Sequence, residues 1–524
     1  MPGHLALVLH AHLPFVRHPE KEHFLEEEWL FEAITEAYIP LLQVLQRLVN
    51  DGIQFRLSMS LTPTLCAMFG DKMLRERYVQ HLDQLVEFCN REVERNRKDP
   101  QLRDLSQFYL DLFSESRQFF VERCQCNLIN AFRELRDAGV LEIIGCAGTH
   151  GLLPLLYQQS PAAARAQVLI GRDVYVDAFN AEPAGFWLPE CAYAPGIDRL
   201  LQEANLRWFI LDAHGLLFAE PRPRRAIYAP CYTPHGPAAF ARDQDSSRQV
   251  WSAEIGYPGD PNYREFYRDA GFDLPLDHLG SVARGMRKFS GVKYYRITGR
   301  KEDKALYDPG AASQLADVHA THFFEERRRQ IRTLLSYDFE PIVVVPFDAE
   351  LFGHWWFEGP IFLERFIRKA SDHSDLKLTT PTDFLSSHST QQTVEPAAST
   401  WGEKGHLRVW LDPNNIWLYP HLHGAARRMQ EIAAAQPADP PALTVRALKQ
   451  LTRELLLAQA SDWAFLMKNG TAKDYAGKRT MDHLIRFNRL YDQLTKNNLD
   501  EKFLADCEWR DNLFPNVNWR YYIS

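Results

Sequence analysis

Short apolar runs rich in β-branched and aromatic residues recur along the first two thirds of the chain, each ending in polar or acidic residues and followed by helical patterning. Leu5 to Leu9 runs into His10 and His12, Phe55 to Met59 into Ser60 and Thr62, and Leu141 to Ile144 into the loop that ends at His150. Gly185 to Leu188 runs into Pro189 and Glu190, Trp208 to Leu211 into Asp212 and His214, and Ile342 to Val345 into Pro346 and Asp348. This is the rhythm of β/α units and predicts an α/β fold. In a barrel of parallel strands the carboxyl ends of the strands build the active site. The pattern therefore gathers His10, His12, His150, Glu190, Asp212, His214 and Asp348 around one mouth.

Between these units, residues 71–139 are too long for one barrel helix and carry an apolar stripe of Leu74, Tyr78, Leu82 and Leu85, which predicts a helical insertion. Residues 215–305 are rich in Pro, Gly, Tyr and Arg and weakly periodic, and predict long ordered loops over the active face. The polar, proline-bearing stretch 386–400 predicts a boundary, and amphipathic helical patterns follow it. The expected organisation is a catalytic barrel over 1–390 and a helical domain over 391–524 that contributes to the substrate cleft.

Composition narrows the partners. The 524 residues are 45% hydrophobic and 24% charged, with a net charge of -8, an ordinary soluble balance without the clustered basic patch that nucleic acid requires. Nowhere do eighteen apolar residues occur together, and the amino-terminal apolar run is too short and too rich in histidine for a signal peptide, so no membrane partner is expected. The eight cysteines are scattered without CxxC pairs and read as reduced thiols, which predicts a cytoplasmic protein.

The candidate chemistry centres on two acids. In GFWLPECAY, Glu190 is set among aromatic residues, and in VVVPFDAELFGHWWFEGP, Asp348 ends an apolar run ahead of His354, Trp355 and Trp356. Aromatic faces stack on pyranose rings. A retaining glycosidase needs one ionised and one protonated carboxyl about 5 to 5.5 Å apart. An acid after a strand is more often a helix cap or an arginine partner, but two acids placed alike, each beside Trp and Pro, favour the catalytic pair.

His10 and His12 lie two apart on a strand and face one side. They offer hydrogen bonds to sugar hydroxyls or, with His150 or Asp212, ligands for a metal-dependent deacetylase. No HxxxH or HExxH spacing completes a metal site, so neither a metal nor a cofactor is expected. Arg264, in a loop-like aromatic setting, either binds substrate or lies on the surface. Trp401 and Trp410 form a stacking platform or pack in the core, and Asp462 reaches a sugar hydroxyl from a helix. A glucan-binding protein without catalysis needs neither a nucleophile nor a proton donor.

Taken in order, HAHLPF, GCAGTHG, GFWLPECAY, PFDAELFGHWW and ASDWAF resemble the signature regions of glycoside hydrolase family 57 across nearly the whole chain. WSAEIGYPGDPNYREFYRD and TWGEKGHLRVW look like its 1,4-alpha-glucan branching group rather than its amylases or 4-alpha-glucanotransferases. The resemblance implies a distorted (β/α)7 barrel with a helical insertion and a C-terminal α-helical domain. It implies an enzyme that cleaves an α-1,4 glucan bond and transfers the chain to a 6-hydroxyl, with α-1,4-glucan as donor and acceptor, working as a monomer or homodimer. Carried over by motif, Glu190 is the nucleophile and Asp348 the proton donor. Arg264, Gly291, Trp401 and Asp462 fall at substrate-binding positions, and Tyr232 at that of a mobile tyrosine over the cleft.

Overall fold

The computed structural model describes residues 2–251, 256–283, 285–299 and 303–523. Nine strands form the sheet: β1 (Gly3–Ala11), β2 (Leu57–Leu61), β3 (Leu141–Cys146), β4 (Gly185–Trp187), β5 (Trp208–Leu211), β6 (Cys231–Tyr232), β7 (Ala238–Ala241), β8 (Ile342–Asp348) and β9 (Leu376–Leu378). Neighbours run β8-β1-β2-β3-β4-β5-β7 and are parallel throughout. A parallel bridge between Arg242 and Val344 joins β7 back to β8, with Asp243 N–H donating to Val344 O at 2.9 Å. The ring is a distorted (β/α)7 barrel. β6 lies antiparallel on β7, and β9 pairs with Gly3 to Leu5 of β1, while β2 pairs with Val8 to Ala11.

Parallel strands covered on both faces read as continuous apolar runs, and every residue of β1 is buried. Small residues let neighbouring layers approach. A Cβ on Gly185 would lie 2.2 Å from Trp208 Cζ2, so the start of β4 accepts nothing larger than glycine beside that ring.

Five of the six expected strands match runs named from the sequence closely, and β2 starts two residues later than expected. β8 extends through Asp348, which therefore ends a strand rather than following one. The seventh barrel strand, β7, falls within residues 215–305, where only loops are expected; its sequence AAFA is short and alanine-rich, a weak strand signal. Parts of that stretch, 252–255, 284 and 300–302, lie outside the described residues.

Residues 71–139 form helices Lys72–Arg95, Pro100–Gln118 and Leu128–Asp137, the first two joined by a short turn. Asp71, Asp99 and Asn127 cap them by accepting backbone N–H groups. Leu74, Tyr78, Leu82 and Leu85 are buried as the stripe predicts.

Residues 386–400 are pinned to the barrel by backbone bridges of Thr393, Glu395 and Ser399 to Tyr232, Glu220 and Tyr193. Helices Leu418–Ala434, Ala442–Ala458, Ser461–Asn469, Lys473–Thr495 and Glu501–Arg510 follow. The last ones are tied by a buried ion cluster in which Glu454 meets His483 at 2.7 Å and Arg486 meets Asp511 at 2.8 Å. One contact positions the site: Gly151, after β3, bridges Ala460, and Ser461 N–H donates to His150 O at 3.2 Å. The first turn of helix Ser461–Asn469 is thereby delivered to the mouth of the barrel.

Candidate active site

The turn after β4 presents Glu190. Its backbone is left-handed (φ 61°), and His150, after β3, shares that conformation (φ 57°). Non-glycine residues hold such angles only where the surroundings enforce them. Here the carbonyl of Glu190 accepts Trp401 N–H at 3.1 Å and Thr400 Oγ1–H at 3.0 Å. Each carboxylate oxygen has a donor: Trp401 Nε1–H at 2.9 Å on Oε2 and Ser461 Oγ–H at 3.1 Å on Oε1. Burial pushes the carboxyl above its ordinary value and Asp462 adds to the rise, while the Trp401 and Ser461 hydrogen bonds and the charge on His12 oppose it.

Asp348, at the end of β8, is paired in register with His10 of β1. Among the described residues no hydrogen bond reaches its carboxyl. Burial pushes it well above the usual carboxylate range, the negative charges of Glu350 and Glu190 push it further, and Arg242 offsets part of the rise. The two acids at this mouth thus have unlike surroundings. One is solvated by two donors, and the other is left with anions for neighbours. That difference separates an ionised group from a protonated one.

The histidines line the barrel mouth beside them. His10 stacks on Trp187 (4.3 Å between centroids, 8° between planes), and its Nε2 lies 3.1 Å from His150 Nε2. Ser60 Oγ and Ser461 Oγ hold the two outer nitrogens at 3.0 and 2.9 Å. Burial, aided by the neighbouring imidazoles, keeps His10 and His150 well below the ordinary histidine value, so both are neutral. His12 differs. Burial opposes its charge, but Asp462, whose Oδ1 lies 2.9 Å from its Nε2, outweighs that with help from Glu350 and Glu190, and raises it.

His12, His150 and Asp462 bring ligand-type atoms within 4.8 Å of one another. Their ring nitrogens and Asp462 Oδ1 already bond to each other or to His10, Ser461 and Thr62, while Asp462 Oδ2 is buried without a partner among the described residues. His12 spends Nε2 on Asp462 and Nδ1 on Thr62, and the neighbouring carboxylates favour its protonated form, which has no lone pair for a metal. Hydrogen bonding, rather than ligation, is the chemistry these groups are arranged for.

Asp212 and His214, after β5, pair with each other at 2.9 Å, and Arg242 stands 3.6 Å from Asp212 and over the Trp401 ring at 5.7 Å. Trp401 also meets Trp187 edge to face at 5.2 Å. The expected group of His10, His12, His150, Glu190, Asp212, His214 and Asp348 is therefore brought together, and Trp401 and Asp462 join it.

Arg264 and Gly291 belong to a second cluster on the loops beside β8. Arg264 lies 3.4 Å from Glu36, donates to the Gly291 carbonyl at 3.4 Å and stacks on Phe357 at 3.9 Å. His354 meets Glu36 at 2.7 Å. Burial would raise Glu36, yet Arg264 and His354 overcome it and hold the carboxyl near about 2. A Cβ on Gly353 (φ 117°) would fall 1.8 Å from Glu36 O, so glycine is required where the His354 loop crosses that backbone.

Two expectations need correction. Trp410 is 2% exposed with its indole nitrogen unpartnered, packed against Gly402, so it is core and not a stacking platform. Tyr232 pairs with Ala238 at the start of β7, level with Trp208 at the start of β5, and its hydroxyl donates to Ser389 O at 3.0 Å. It stands at the amino-terminal end of the barrel, opposite Glu190, because the loop it was assigned to contains a strand.

Three residues of the mouth escape the sequence reading. Glu350 accepts His12 N–H at 3.0 Å and also the Tyr38 hydroxyl, and its position two after Asp348 in PFDAE is the available signal. Ser461 adjoins Asp462 in ASDWAF. Arg242 follows the strand that was missed.

A family model described as Glycosyl hydrolase family 57 matches residues 6–397, and one described as 1,4-alpha-glucan branching enzyme, C-terminal, matches residues 421–522. A 1,4-alpha-glucan branching enzyme of Thermococcus kodakarensis is 32% identical, over 100% of this chain and 79% of its own length. The crystal structure of a novel alpha-amylase, AmyC, of Thermotoga maritima is 42% identical with a TM-score of 0.94, covering 100% of this chain and 99% of that one. The structure of a branching enzyme of this type from Pyrococcus horikoshii is 35% identical with a TM-score of 0.90, covering 100% and 97%. In sequence, in matched length and in fold, the chain belongs to glycosyl hydrolase family 57.

Proposed function

We propose that this chain is a 1,4-alpha-glucan branching enzyme acting by retaining double displacement. Glu190 attacks the anomeric carbon of an α-1,4 bond as Asp348 gives its proton to the departing 4-oxygen. The C1–O4 bond breaks and a glycosyl ester of Glu190 forms. Asp348, now a carboxylate, takes the proton of a 6-hydroxyl on an acceptor chain. That oxygen attacks C1 and expels Glu190, leaving an α-1,6 branch in a glycogen-type glucan. His10, His12 and His150, whose ring nitrogens are held by one another and by Ser60, Thr62, Ser461 and Asp462, shape the donor-sugar position, with Asp462, Trp401, Arg264 and Gly291 as further binding positions.

One observation carries this assignment of roles: both oxygens of Glu190 accept hydrogen bonds while Asp348 receives none among the described residues. Transfer rather than hydrolysis requires a site that holds a second glucan and excludes water. Ser461 and Asp462, which touch Glu190 and His12, belong to the 421–522 region that matches branching enzymes. The division into a barrel over 1–390 and a helical domain over 391–524 is part of this proposal, the second supplying side chains to the cleft of the first. No helix among the described residues is long and apolar enough to cross a membrane.

The likeness to AmyC favours a second reading, α-amylase activity at the same carboxyls. Incubation with amylose, followed by proton NMR, separates the two. New α-1,6 linkages without a matching rise in reducing ends support branching, and new reducing ends without α-1,6 linkages support hydrolysis. Full activity in Glu190→Gln would remove Glu190 from either mechanism.

A further inference from the structure

The floor of the barrel, at the end opposite Glu190, holds a cluster that the reaction does not use. His4 is the second residue of β1, Glu340 lies two residues before β8, and His388 follows helix Pro381–Ser387. The Nε2 atom of His388 is 2.7 Å from Glu340 Oε2, and the Nε2 atom of His4 is 3.6 Å from the same oxygen. One ligand-type atom from each residue falls within 4.8 Å of the others.

Hydrogen bonding leaves this cluster incomplete. His4 is 6% exposed, yet neither ring nitrogen has a hydrogen-bond partner among the described residues. Leaving a buried polar group unpaired is costly, because it gives up its hydrogen bonds to water without replacement. In His388, Nδ1 lies 3.1 Å from the Phe384 carbonyl, which only accepts. Nδ1 therefore carries the hydrogen, and in the neutral ring the Nε2 lone pair faces the Glu340 carboxylate. Two lone pairs at 2.7 Å repel unless a proton or a metal cation lies between them. Phe384 stacks on His388 at 4.2 Å and meets His4 edge to face at 5.2 Å, so both rings are held in place.

We propose that His4, His388 and Glu340 bind a divalent transition-metal ion of the zinc class, with water completing the shell. Two imidazole nitrogens and one carboxylate oxygen are a donor set zinc accepts, at about 2.0–2.2 Å each, which places ligand atoms roughly 3.3 Å apart. The present separations of 2.7 and 3.6 Å bracket that value. The ion would tie the start of β1 to the chain entering β8 and to the end of helix Pro381–Ser387, closing the barrel floor. Sequence spacing gives no sign of such a site, because its ligands are 336 and 48 residues apart.

The test is a titration of the chelator-treated full chain with zinc chloride, read by calorimetry and by thermal melting, alongside His388→Gln and Glu340→Gln. Both partners of His4 have partly exposed side chains (25% and 27%), so their substitution spares the core, whereas His4→Gln carries more risk of misfolding. The expected result is one zinc per chain, a melting temperature raised by zinc, and affinity reduced at least tenfold in each variant with branching activity unchanged. Cobalt in place of zinc should give the visible absorption of a four-coordinate site. Absence of binding would leave a shared proton between His388 and Glu340 and overturn the proposal. Binding of equal strength in both variants would place the ion elsewhere, for instance at His12, His150 and Asp462, and overturn it as well.

Discussion

The indole nitrogen of Trp401 donates to Glu190 Oε2 at 2.9 Å, joining residues 211 apart in the chain. The donor sits past the end of the barrel, in the segment leading to the C-terminal helices, while the acceptor lies in the turn after β4. Trp401 also packs edge to face on Trp187, the last residue of β4, so ring and carboxylate are oriented by the same strand. The state of the nucleophile is thus set by a residue outside the barrel wall.

Trp401→Phe keeps an aromatic ring while removing the donor along with part of the ring volume. A hydrogen bond to a charged group contributes about 1.5–3 kcal/mol, so kcat/KM should fall by about 10- to 100-fold. Because that bond opposes the burial that raises Glu190, its loss raises the carboxyl further. The acidic limb of the kcat/KM profile should move to higher pH, and an unmoved limb would show that Trp401 acts on substrate alone.

Asp348 carries the opposite expectation for stability and activity. Its pKa in the folded chain lies well above 3.8, so the folded state keeps a proton that the unfolded state loses. The sign follows from linkage: stability attributable to this group is full below about 3.8 and falls as pH rises toward its folded pKa. At neutral pH the site is therefore a destabilising one, and Asp348→Asn should raise the melting temperature while removing the acid needed for glycosyl transfer. Loss of roughly 10²- to 10⁴-fold in rate is the usual range for a general acid. A variant melting lower than the parent at neutral pH would contradict the protonated assignment.

Much of this site is legible in the sequence because parallel strands covered on both sides are near-continuous apolar runs, and the acids and histidines fall where those runs stop. His10, His12, Glu190 and Asp348 are found by that rule alone. It fails where the strand signal is weak: AAFA of β7 hides Arg242 and allows Tyr232 to be placed on an active-face loop. It fails also for residues that reach the site through tertiary packing. Ser461 arrives because Gly151 bridges Ala460, a pairing no local pattern encodes. Trp401 and Trp410, nine residues apart, look equivalent in sequence, and only the fold of the intervening turns separates the one on Glu190 from the one in the core.

Glu36 is the anion against which Arg264 is buried, and His354 shares it at 2.7 Å. Glu36→Gln leaves both cations facing a neutral amide, and breaking a buried pair from one side costs about 3–5 kcal/mol. The Glu36 carboxyl is depressed from 4.5 to about 2. Its contribution is therefore present above pH 4.5 and lost as pH falls toward 2. Chemical denaturation should show a large gap between parent and variant at neutral pH that narrows through that window; a gap independent of pH would assign the loss to packing.

Trp410 tests whether the paired tryptophans of TWGEKGHLRVW share a role. The ring is 2% exposed, a Cβ on Gly402 would lie 2.6 Å from its Cζ3, and its carbonyl accepts the Tyr419 hydroxyl at 2.7 Å. Trp410→Ala would open a cavity under the Trp401 turn, at a cost of about 3–5 kcal/mol for a buried Trp truncation. Trp410→Phe is the sharper variant, because the indole nitrogen it removes has no partner among the described residues. Loss of ring volume is then partly offset by removal of an unsatisfied buried donor, which itself costs on the order of 1–3 kcal/mol. Melting should therefore change little in Trp410→Phe and drop clearly in Trp410→Ala. Kinetics decide the role: if Trp410 only supports the turn, Trp410→Phe keeps KM for amylose and kcat close to the parent, whereas a stacking platform would show its loss first as a raised KM.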